Sequence, residues 1–485
     1  MEFVGRKHEL DYLDKQYSEK SGSLCIVYGR RRVGKTRLLT HWLDDRSHVG
    51  FYWLATDTAA QSLLRSLSRM AYGVINGVAD VDPDFTYHNW GVLLSALGQW
   101  AKREGITRKV VIILDEFTYA MQAYSDLPHK LQAAWDQQWK DAPIMLVLSG
   151  SHLGMMEDEI LSARAPLYGR ATGLLKLRQL PFKDVRTLFP TYSIESCVAL
   201  YSILGGVPYY LERIDPTRSI KENMIERILS WTSLIQDESR LLLHDHFRQP
   251  RLYAAIIEQV ARANHSPKII ADTLDLESGT VNNYLHTLVN LGILRREVPA
   301  TERYPERSRK SRYVIDDPYL RFYHRFLRSQ MSFLMRGAYA AVWRTIEQHW
   351  RAFVGTHTFE ELCREWVYIA AEMGQLPFLP QRVGSHWSKT EQIDVVAVNW
   401  DEGQVLYGEC KWRLSSTFGE GDVRKLVTRA EQLDLKTRSG RSMQVHYVLF
   451  SRSGFSPAAS AAARAVNAYL VDLSTLDATL AQAVR

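Results

Sequence analysis

A glycine-rich segment near the start of this 485-residue chain has the residue types that bind nucleotide phosphates. Residues 29–36 read Gly-Arg-Arg-Arg-Val-Gly-Lys-Thr and directly follow the apolar run from Leu24 to Tyr28. The glycines let backbone N–H groups turn onto phosphates, Lys35 can reach the β and γ oxygens, and Thr36 can ligate Mg²⁺. The segment predicts ATP and Mg²⁺ as cofactors, bound by Gly29, Arg32, Val33, Gly34, Lys35, Thr36 and Arg37.

An acidic pair ends an apolar, strand-like run roughly 80 residues further along the chain. The run from Val110 to Leu114 leads directly into Asp115 and Glu116. Burying carboxylates at the end of a strand costs free energy, so their presence there indicates a function. We expect Asp115 to hold the Mg²⁺ shell and Glu116 to polarise the attacking water. The next such run ends in Ser149-Gly150-Ser151, which is either a γ-phosphate sensor or a simple turn.

A second set of charged residues lies on two strand-like segments near the C-terminus. Asp394 lies in the segment from Ile393 to Asn399, and Glu409 and Lys411 lie in the segment from Gln404 to Trp412. The spacing fits a hairpin, and alternation along the second strand projects Glu409 and Lys411 on one face, toward Asp394. Two carboxylates beside a lysine predict a metal site, and structural salt bridges are the alternative.

This C-terminal arrangement resembles PD-(D/E)XK nucleases over about residues 355–455, although no proline leads the first motif. The resemblance implies a Mg²⁺-dependent deoxyribonuclease in which Lys411 positions or activates the hydrolytic water. In that family a helix before the hairpin often supplies another acid. Glu360 or Glu361 is suitably placed for this role, and Glu391 is an alternative. The metal ligands that the resemblance implies are Asp394, Glu409 and Glu361.

The elements that must position the phosphate site alternate between strand-like and helical patterns. The strand-like runs lie at 24–28, 50–55, 110–114 and 145–148. This alternation predicts a parallel sheet flanked by helices. Between Pro181 and Phe247 the pattern turns helical, which predicts a helical lid.

A short helical module follows and ends in a basic segment. Residues 268–274 and 280–291 predict two helices around a turn, within a set of three, and a hairpin comes next. Between Arg295 and Arg312 seven basic residues stand against three acidic ones. A basic wing beside a recognition-type helix favours DNA as a partner, and a protein-docking module is the alternative.

Residues 1 to about 330 resemble the AAA+ and STAND-like ATPases often called the archaeal ATPase family. The likeness rests on the phosphate motif together with Phe3 to Leu10, Pro166 to Arg170 and Gly206 to Pro208. It implies that Gly5 and Arg6, in the first of these segments, lie at the nucleotide and that the third segment is a lid motif. It also implies that Arg170 is an arginine finger acting in a homo-oligomer, an ordinary salt bridge being the alternative.

Together these patterns predict an α/β protein of five parts. They are a P-loop AAA+-like ATPase core with a parallel sheet (1–180), a helical lid (181–247), a winged helix-turn-helix domain (248–318), a helical linker (319–354) and a C-terminal α/β restriction-endonuclease-like domain (355–485).

Composition agrees with a modular globular protein. Hydrophobic residues make up 46% and charged residues 24%, and the net charge of +6 permits contact with phosphate backbones. No apolar run is long enough to span a bilayer and no signal pattern begins the chain, so we expect a cytoplasmic protein without membrane contact. Four well-separated cysteines favour reduced thiols over disulfides or a zinc site.

The sequence thus predicts an ATPase that controls how a DNA-binding module and a metal-dependent nuclease engage DNA. The alternative is an ATP-dependent DNA-binding or signalling switch whose C-terminal domain does not cleave. A third interpretation is a multi-subunit motor acting on protein.

Overall fold

The structure, a computed structural model, describes most of the chain and divides it into two compact units. It describes residues 2–46, 48–104, 108–156, 159–160, 162–230, 243, 249–262, 266–414, 417–437 and 439–483. The first unit extends to Leu180 and includes Val207–Tyr209, and the second contains Pro181–Gly206 and the chain from Tyr210 onward. The predicted lid, helical module and C-terminal domain therefore share one compact unit.

A five-stranded parallel sheet forms the centre of the first unit. Its strands are β1 (Ser23–Tyr28), β2 (Gly50–Leu54), β3 (Val110–Asp115), β4 (Ile144–Gly150) and β5 (Gly173–Lys176), in the order β2-β3-β4-β1-β5. Along β3, Ile112 packs into one apolar cluster while Val111 and Ile113 pack into another on the opposite face. Burial on both faces explains why the central strands read as continuous apolar runs.

Helices cover both faces of this sheet. Their bounds are Lys7–Ser18, Lys35–Asp45, Ala60–Asn76, Trp90–Glu104, Phe117–Ala123, Leu127–Ala134 and Leu153–Met156, with a π-helical turn at Trp135–Trp139. The predicted parallel sheet flanked by helices is confirmed, and β5 at its edge is a strand that the sequence did not predict.

The second unit begins with the helices of the predicted lid. These are Phe182–Leu188, Ile194–Leu204 and Ile220–Asn223, followed by a π-helical turn at Met224–Ile228, while the short helix Pro208–Leu211 begins within the first unit. Residues 231–242 and 244–247 of the predicted lid lie outside the described residues.

Three helices and a two-stranded sheet follow, at the place of the predicted winged helix. The helices are Pro250–Ala261, Pro267–Leu274 and Ser278–Asn290, and the antiparallel strands are β6 (Leu294–Glu297) and β7 (Arg312–Ile315). A helical stretch then leads to the C-terminal domain. It comprises Pro318–Phe322, Tyr323–Leu327, Arg328–Gln330, Met331–Met335, Tyr339–Phe353 and the π-helical Val354–Phe359.

The C-terminal domain is built on a mixed five-stranded sheet. Its strands are β8 (Arg382–Trp387), β9 (Gln392–Asn399), β10 (Gln404–Lys411), β11 (Gln444–Ser451) and β12 (Tyr469–Asp472). β8, β9 and β10 pair antiparallel, whereas β10, β11 and β12 pair parallel. The helices are Glu360–Glu372, Glu420–Leu433, Pro457–Ala465 and Leu473–Leu480. The predicted hairpin corresponds to β9 and β10.

Candidate functional site

The glycine-rich loop connects the end of β1 to the helix Lys35–Asp45. Arg32 and Gly34 have φ angles of 72° and 95°, so the backbone turns sharply there. A Cβ built on Gly29 would lie 2.3 Å from the carbonyl oxygen of Leu177, a distance that excludes any residue but glycine. The loop therefore curves into a helix N-terminus, where backbone N–H groups are available to an anion.

Lys35 lies in the first turn of that helix and is only 5% exposed. Its Nζ donates to the carbonyl oxygens of Gly29 at 3.0 Å and Arg30 at 3.3 Å. Burial lowers its pKa, and the carboxylates of Glu116 and Asp115 oppose that shift. The ammonium is thus held against the loop, beside both predicted acids.

Asp115 ends β3 and is fully buried. Its Oδ2 accepts hydrogen bonds from Thr36 Oγ1 at 2.6 Å and from the Tyr52 hydroxyl at 2.8 Å, and its Oδ1 accepts from the Glu116 N–H at 2.9 Å. A hydroxyl and a carboxylate are the hard oxygen donors that Mg²⁺ prefers, so this pair fits the predicted ion. Tyr52 was not anticipated from the sequence, and burial followed by the Asp115 charge raises its pKa.

Glu116 follows with a φ of 49°, an uncommon backbone conformation for a non-glycine residue. Both of its carboxylate oxygens accept from Ser151 Oγ at 2.5 Å, and Oε2 also accepts from the Ser151 N–H at 3.2 Å. Because β4 lies beside β3, the serine just past the end of β4 reaches the glutamate just past the end of β3. The Ser149 hydroxyl is buried without a hydrogen-bond partner among the described residues.

The N-terminal motif is anchored on the same loop. Gly5 and Arg6 have successive positive φ angles of 71° and 63°. Arg6 is 6% exposed, and its guanidinium donates to Val33 O at 2.8 Å and to Glu9 Oε1 at 2.9 Å. Arg37 lies exposed in the first turn of the following helix.

Val207–Tyr209 also packs on the loop. A Cβ built on Gly34 would lie 3.6 Å from Pro208 Cγ, and the Arg32 guanidinium lies 4.1 Å from the centre of the Tyr209 ring. Pro208, in the segment singled out as a lid motif, and the adjacent Tyr209 thus contact two residues of the predicted phosphate loop.

Arg170 forms a bidentate ion pair with Asp136. Its Nε and Nη2 donate to the two carboxylate oxygens at 2.8 and 2.7 Å, and Nη1 donates to Pro166 O at 2.9 Å. Within one chain, Arg170 thus forms the ordinary salt bridge predicted from the sequence as the alternative to an arginine finger. Action of Arg170 on a neighbouring subunit stays a prediction.

In the C-terminal domain, strand pairing brings Asp394 and Glu409 together. The register pairs Gly408 with Val395, and one further step places Glu409 opposite Asp394, so both side chains lie on one face. Asp394 Oδ2 accepts from the Cys410 N–H at 3.0 Å. The predicted hairpin juxtaposition is present in the structure.

Glu409 is 7% exposed and lies between two cations. Lys411 Nζ donates to its Oε1, and Arg429 Nη1 donates to its Oε2 at 3.3 Å. Arg429 also lies 3.7 Å from a carboxylate oxygen of Glu391. Burial and the Asp394 charge raise the pKa of Glu409, and Lys411 opposes them.

The two acids at the start of the helix Glu360–Glu372 face different surroundings. Glu360 accepts from Arg364 at 2.8 Å, and Arg364 also donates to the Asp394 carbonyl oxygen at 3.0 Å, so Glu360 lies near the acidic cluster. Burial and the Asp394 charge raise the pKa of Glu360 to about 8. Glu361 instead accepts hydrogen bonds from Arg295 and Arg321, each at 3.1 Å. Successive residues on a helix point in directions about 100° apart, so Glu361 lies against these arginines, and its assignment as a metal ligand stays a prediction.

Within the described ranges, no group of three or more His, Cys, Asp and Glu side chains is arranged to hold a metal ion. Mg²⁺ is commonly held by one or two carboxylates with water and substrate phosphate completing its shell, so the pair of Asp394 and Glu409 fits that ion. All four cysteines are free thiols, as expected.

Two family models match separate parts of the chain. Residues 3–214 match the model described as an ATPase domain predominantly from Archaea. This segment is an archaeal-type P-loop ATPase domain. Residues 323–424 match a family described as archaeal and bacterial proteins of unknown function. The glycine-rich loop and Lys35 lie within the first of these segments.

Relatives match parts of the chain of very different length. An uncharacterized protein of Methanocaldococcus jannaschii is 29% identical over 425 residues, covering 87% of this chain and 90% of that protein. An ATP-binding protein of the same organism is 48% identical over 44 residues, which are 9% of this chain and 75% of that protein.

Similar solved structures include two archaeal proteins. The Walker-type ATPase of Pyrococcus abyssi has a TM-score of 0.48 at 19% identity, covering 67% of this chain and 96% of that one. The ORC2 protein of Aeropyrum pernix, solved as ADPNP and ADP complexes, has a TM-score of 0.41 at 12% identity, covering 70% of this chain and 96% of that one.

Outside the ATPase domain, most of the basic wing makes contacts within the chain. Five of its seven basic residues contact neighbouring groups, namely Arg295, Arg296, Arg303, Lys310 and Arg312. The connecting loop pairs with β8, since the Ala300 N–H donates to Ser385 O at 2.8 Å and Thr301 shares a hydrogen bond with His386 at 2.7 Å. Arg307 and Arg309 are exposed. The wing is thus a less accessible basic surface than its composition indicated.

The recognition-type helix Ser278–Asn290 keeps a polar face exposed. Val281, Leu285 and Leu288 are buried, whereas Asn282, Asn283 and His286 are exposed. Among the helices that the structure describes, none is both long and apolar enough to span a bilayer.

Proposed function

We propose that ATP binding and hydrolysis in the ATPase domain control how the second unit engages DNA and cleaves it with Mg²⁺. The observation that carries the proposal is the placement of Asp394 opposite Glu409, with Lys411 two residues further along the same strand. These three groups are the two acids and the lysine that phosphodiester hydrolysis requires in PD-(D/E)XK-like enzymes.

In the nucleotide site, each side chain has a distinct task. Lys35 binds the β and γ phosphates, and Glu116 orients and polarises the attacking water. Thr36 and Asp115 would hold Mg²⁺, which neutralises charge on the phosphates when it is bound. Ser151 holds the Glu116 carboxylate at 2.5 Å and so fixes its orientation.

In the C-terminal domain, Asp394 and Glu409 would hold Mg²⁺, which would activate water and stabilise the leaving oxygen. Lys411 positions the water, and the half-buried Glu360 adds a carboxyl group near Asp394, since Arg364 contacts both residues. The exposed polar face of the helix Ser278–Asn290 and the exposed Arg307 and Arg309 offer contacts to DNA.

The polypeptide chain itself connects the phosphate loop's contacts with the second unit. Val207–Tyr209 packs on the phosphate loop through Gly34 and Arg32. The residues on both sides of this segment belong to the second unit. A change of the loop on phosphate binding would act on a segment that continues into the second unit on both sides.

A second candidate function is a nucleotide-controlled DNA-binding switch that does not cleave. It is favoured by the contacts of Glu409, whose two oxygens are already occupied by Lys411 and Arg429. A carboxylate neutralised by two cations is a weaker ligand for a metal ion.

The proposal is tested by incubating pure protein with linear, circular and branched DNA, with and without ATP and Mg²⁺. We expect wild type to cleave at least one form and Lys411→Ala to bind that DNA without cleaving it. We expect Lys35→Ala to lose the ATP dependence. DNA binding without cleavage by wild type would favour the switch, and an unchanged DNA outcome in both variants would refute the proposal.

A further inference from the structure

A cavity of about 510 Å³ lies within the second unit and borders the acidic cluster, since Glu360 lines it. Its walls come from β6, β7, Gln392 at the start of β9 and the helices between Pro250 and Arg364. Five arginines and three glutamates line it. The arginines are Arg295, Arg312, Arg321, Arg325 and Arg364. With these arginines and glutamates charged and the two lining histidines neutral, the lining carries two more positive than negative charges, and its volume suits a small anionic group.

Arg321 is the most informative residue of this cavity because it is buried and incompletely bonded. It is 7% exposed, and its Nε and Nη2 donate to the carbonyl oxygens of Ile315 at 3.1 Å and Asp316 at 3.2 Å, with Nη2 also donating to Glu361. Its Nη1 is buried and has no hydrogen-bond partner among the described residues. A buried guanidinium N–H without an acceptor is costly, and an anion bound within its reach would remove that cost.

Arg325 adds a cation that no carboxylate neutralises. It is exposed, lines the cavity, and forms no ion pair with any residue in the described part of the chain. By contrast, Arg295 and Arg312 are both paired with Glu297, and Arg321 shares Glu361 with Arg295. The unpaired charge therefore lies with Arg325, and the unpaired donor lies with Arg321 on the same helical stretch.

We propose that this cavity binds a phosphoryl group through Arg321 and Arg325. Guanidinium groups offer paired N–H donors whose geometry matches phosphate oxygens, and Arg321 is held rigidly by its other contacts. The phosphoryl group comes either from a small phosphate compound or from a nucleic-acid strand. Binding here does not depend on DNA cleavage or on ATP hydrolysis.

The test measures binding to the full chain in EDTA, in a Lys35→Ala background that weakens the nucleotide site. One arm titrates inorganic pyrophosphate by calorimetry, and the other titrates a fluorescein-labelled single-stranded oligonucleotide by anisotropy. Arg321→Gln and Arg325→Gln are compared with Arg227→Gln, an arginine of the same unit that pairs with Asp215 outside the cavity. Thermal unfolding checks that each variant is folded. If Arg321→Gln does not fold, Arg325→Gln, at an exposed position, tests the proposal by itself.

Loss of a charge-assisted hydrogen bond weakens binding about tenfold or more. A loss of that size for pyrophosphate in the two cavity variants, with Arg227→Gln unchanged, supports a small phosphate ligand. The same loss for the oligonucleotide alone supports a strand phosphate. If folded Arg325→Gln and Arg227→Gln bind both probes as the parent does, or if the parent binds neither, the proposal is wrong.

Discussion

Glu116→Gln is the substitution that separates ATP binding from ATP hydrolysis most cleanly. Glutamine has the shape of glutamate, and its carbonyl oxygen can still accept from Ser151 Oγ, which lies 2.5 Å from both oxygens of the native carboxylate. Asp115, Thr36 and Lys35 keep their own contacts. The change therefore removes the negative charge that polarises water and leaves the phosphate contacts intact.

The expected loss follows from the role of the carboxylate. A positioned general base contributes about 10²- to 10⁴-fold to the rate, which corresponds to about 3 to 5 kcal/mol of barrier. We expect kcat for ATP to fall by about that factor while ATP affinity stays close to wild type. The unfolding temperature should fall by a few degrees at most, because one charge-assisted hydrogen bond is replaced by a neutral one.

The assay is steady-state phosphate release over a range of ATP concentrations, combined with calorimetric ATP binding. Glu104→Gln is the matched control, since Glu104 is exposed at the end of the helix Trp90–Glu104 and pairs with Arg103. Its kcat should equal that of wild type. A Glu116→Gln enzyme that hydrolyses ATP at the wild-type rate would show that another group polarises the water.

Three further predictions concern other parts of the chain. Lys35→Ala should lose most ATP affinity with little change in unfolding temperature, measured by calorimetry and thermal melts. If Arg170 completes a neighbour's site, the ATPase activity per subunit of wild type should rise with protein concentration, and Arg170→Ala should abolish that rise. A wild-type activity that does not depend on concentration would leave Arg170 as the partner of Asp136 alone. His324 has both ring nitrogens buried without a partner among the described residues, and burial and then Arg328 lower its pKa to about 4. The unfolded residue titrates near 6.5, so between these two pH values unfolding takes up a proton. The free energy of unfolding should therefore fall by about 2 kcal/mol from pH 7.5 to pH 5. Denaturant unfolding measures this loss, which should be smaller in His324→Phe.

The central parallel strands could be predicted because burial on both faces leaves a direct mark on sequence. β3 and β4 are buried throughout and read as unbroken apolar runs. The edge strands β5, β8 and β12 were not predicted. β5 exposes Leu174, and β8 mixes arginine, serine and histidine with apolar residues. Their extended conformation depends on pairing with a neighbour, which local sequence does not encode.

The candidate sites were predictable where spacing along one element fixed the geometry. Two residues along a strand share a face, so Glu409 and Lys411 were placed correctly relative to each other. Sequence alone could not decide between Glu360 and Glu361. That choice depends on which side of their helix faces Asp394, and the residues that pack against the helix determine this. The accessible charge of the wing could not be predicted, because it depends on which groups the basic side chains contact. The Arg312 guanidinium, for example, lies 3.9 Å from the centre of the Trp387 ring.

The central claim is that Asp394 and Glu409 form a Mg²⁺-dependent DNA-cleaving centre under ATP control, and Asp394→Asn tests it most directly. Asparagine keeps an acceptor for the Cys410 N–H, which lies 3.0 Å from Asp394 Oδ2, but removes the charge. The control is Asp401→Asn, at an exposed aspartate in the turn between β9 and β10. With DNA, ATP and Mg²⁺, wild type and Asp401→Asn should cleave, and Asp394→Asn should bind DNA without cleaving it. Cleavage by Asp394→Asn at the wild-type rate, or none by wild type under any of these conditions, would contradict the claim.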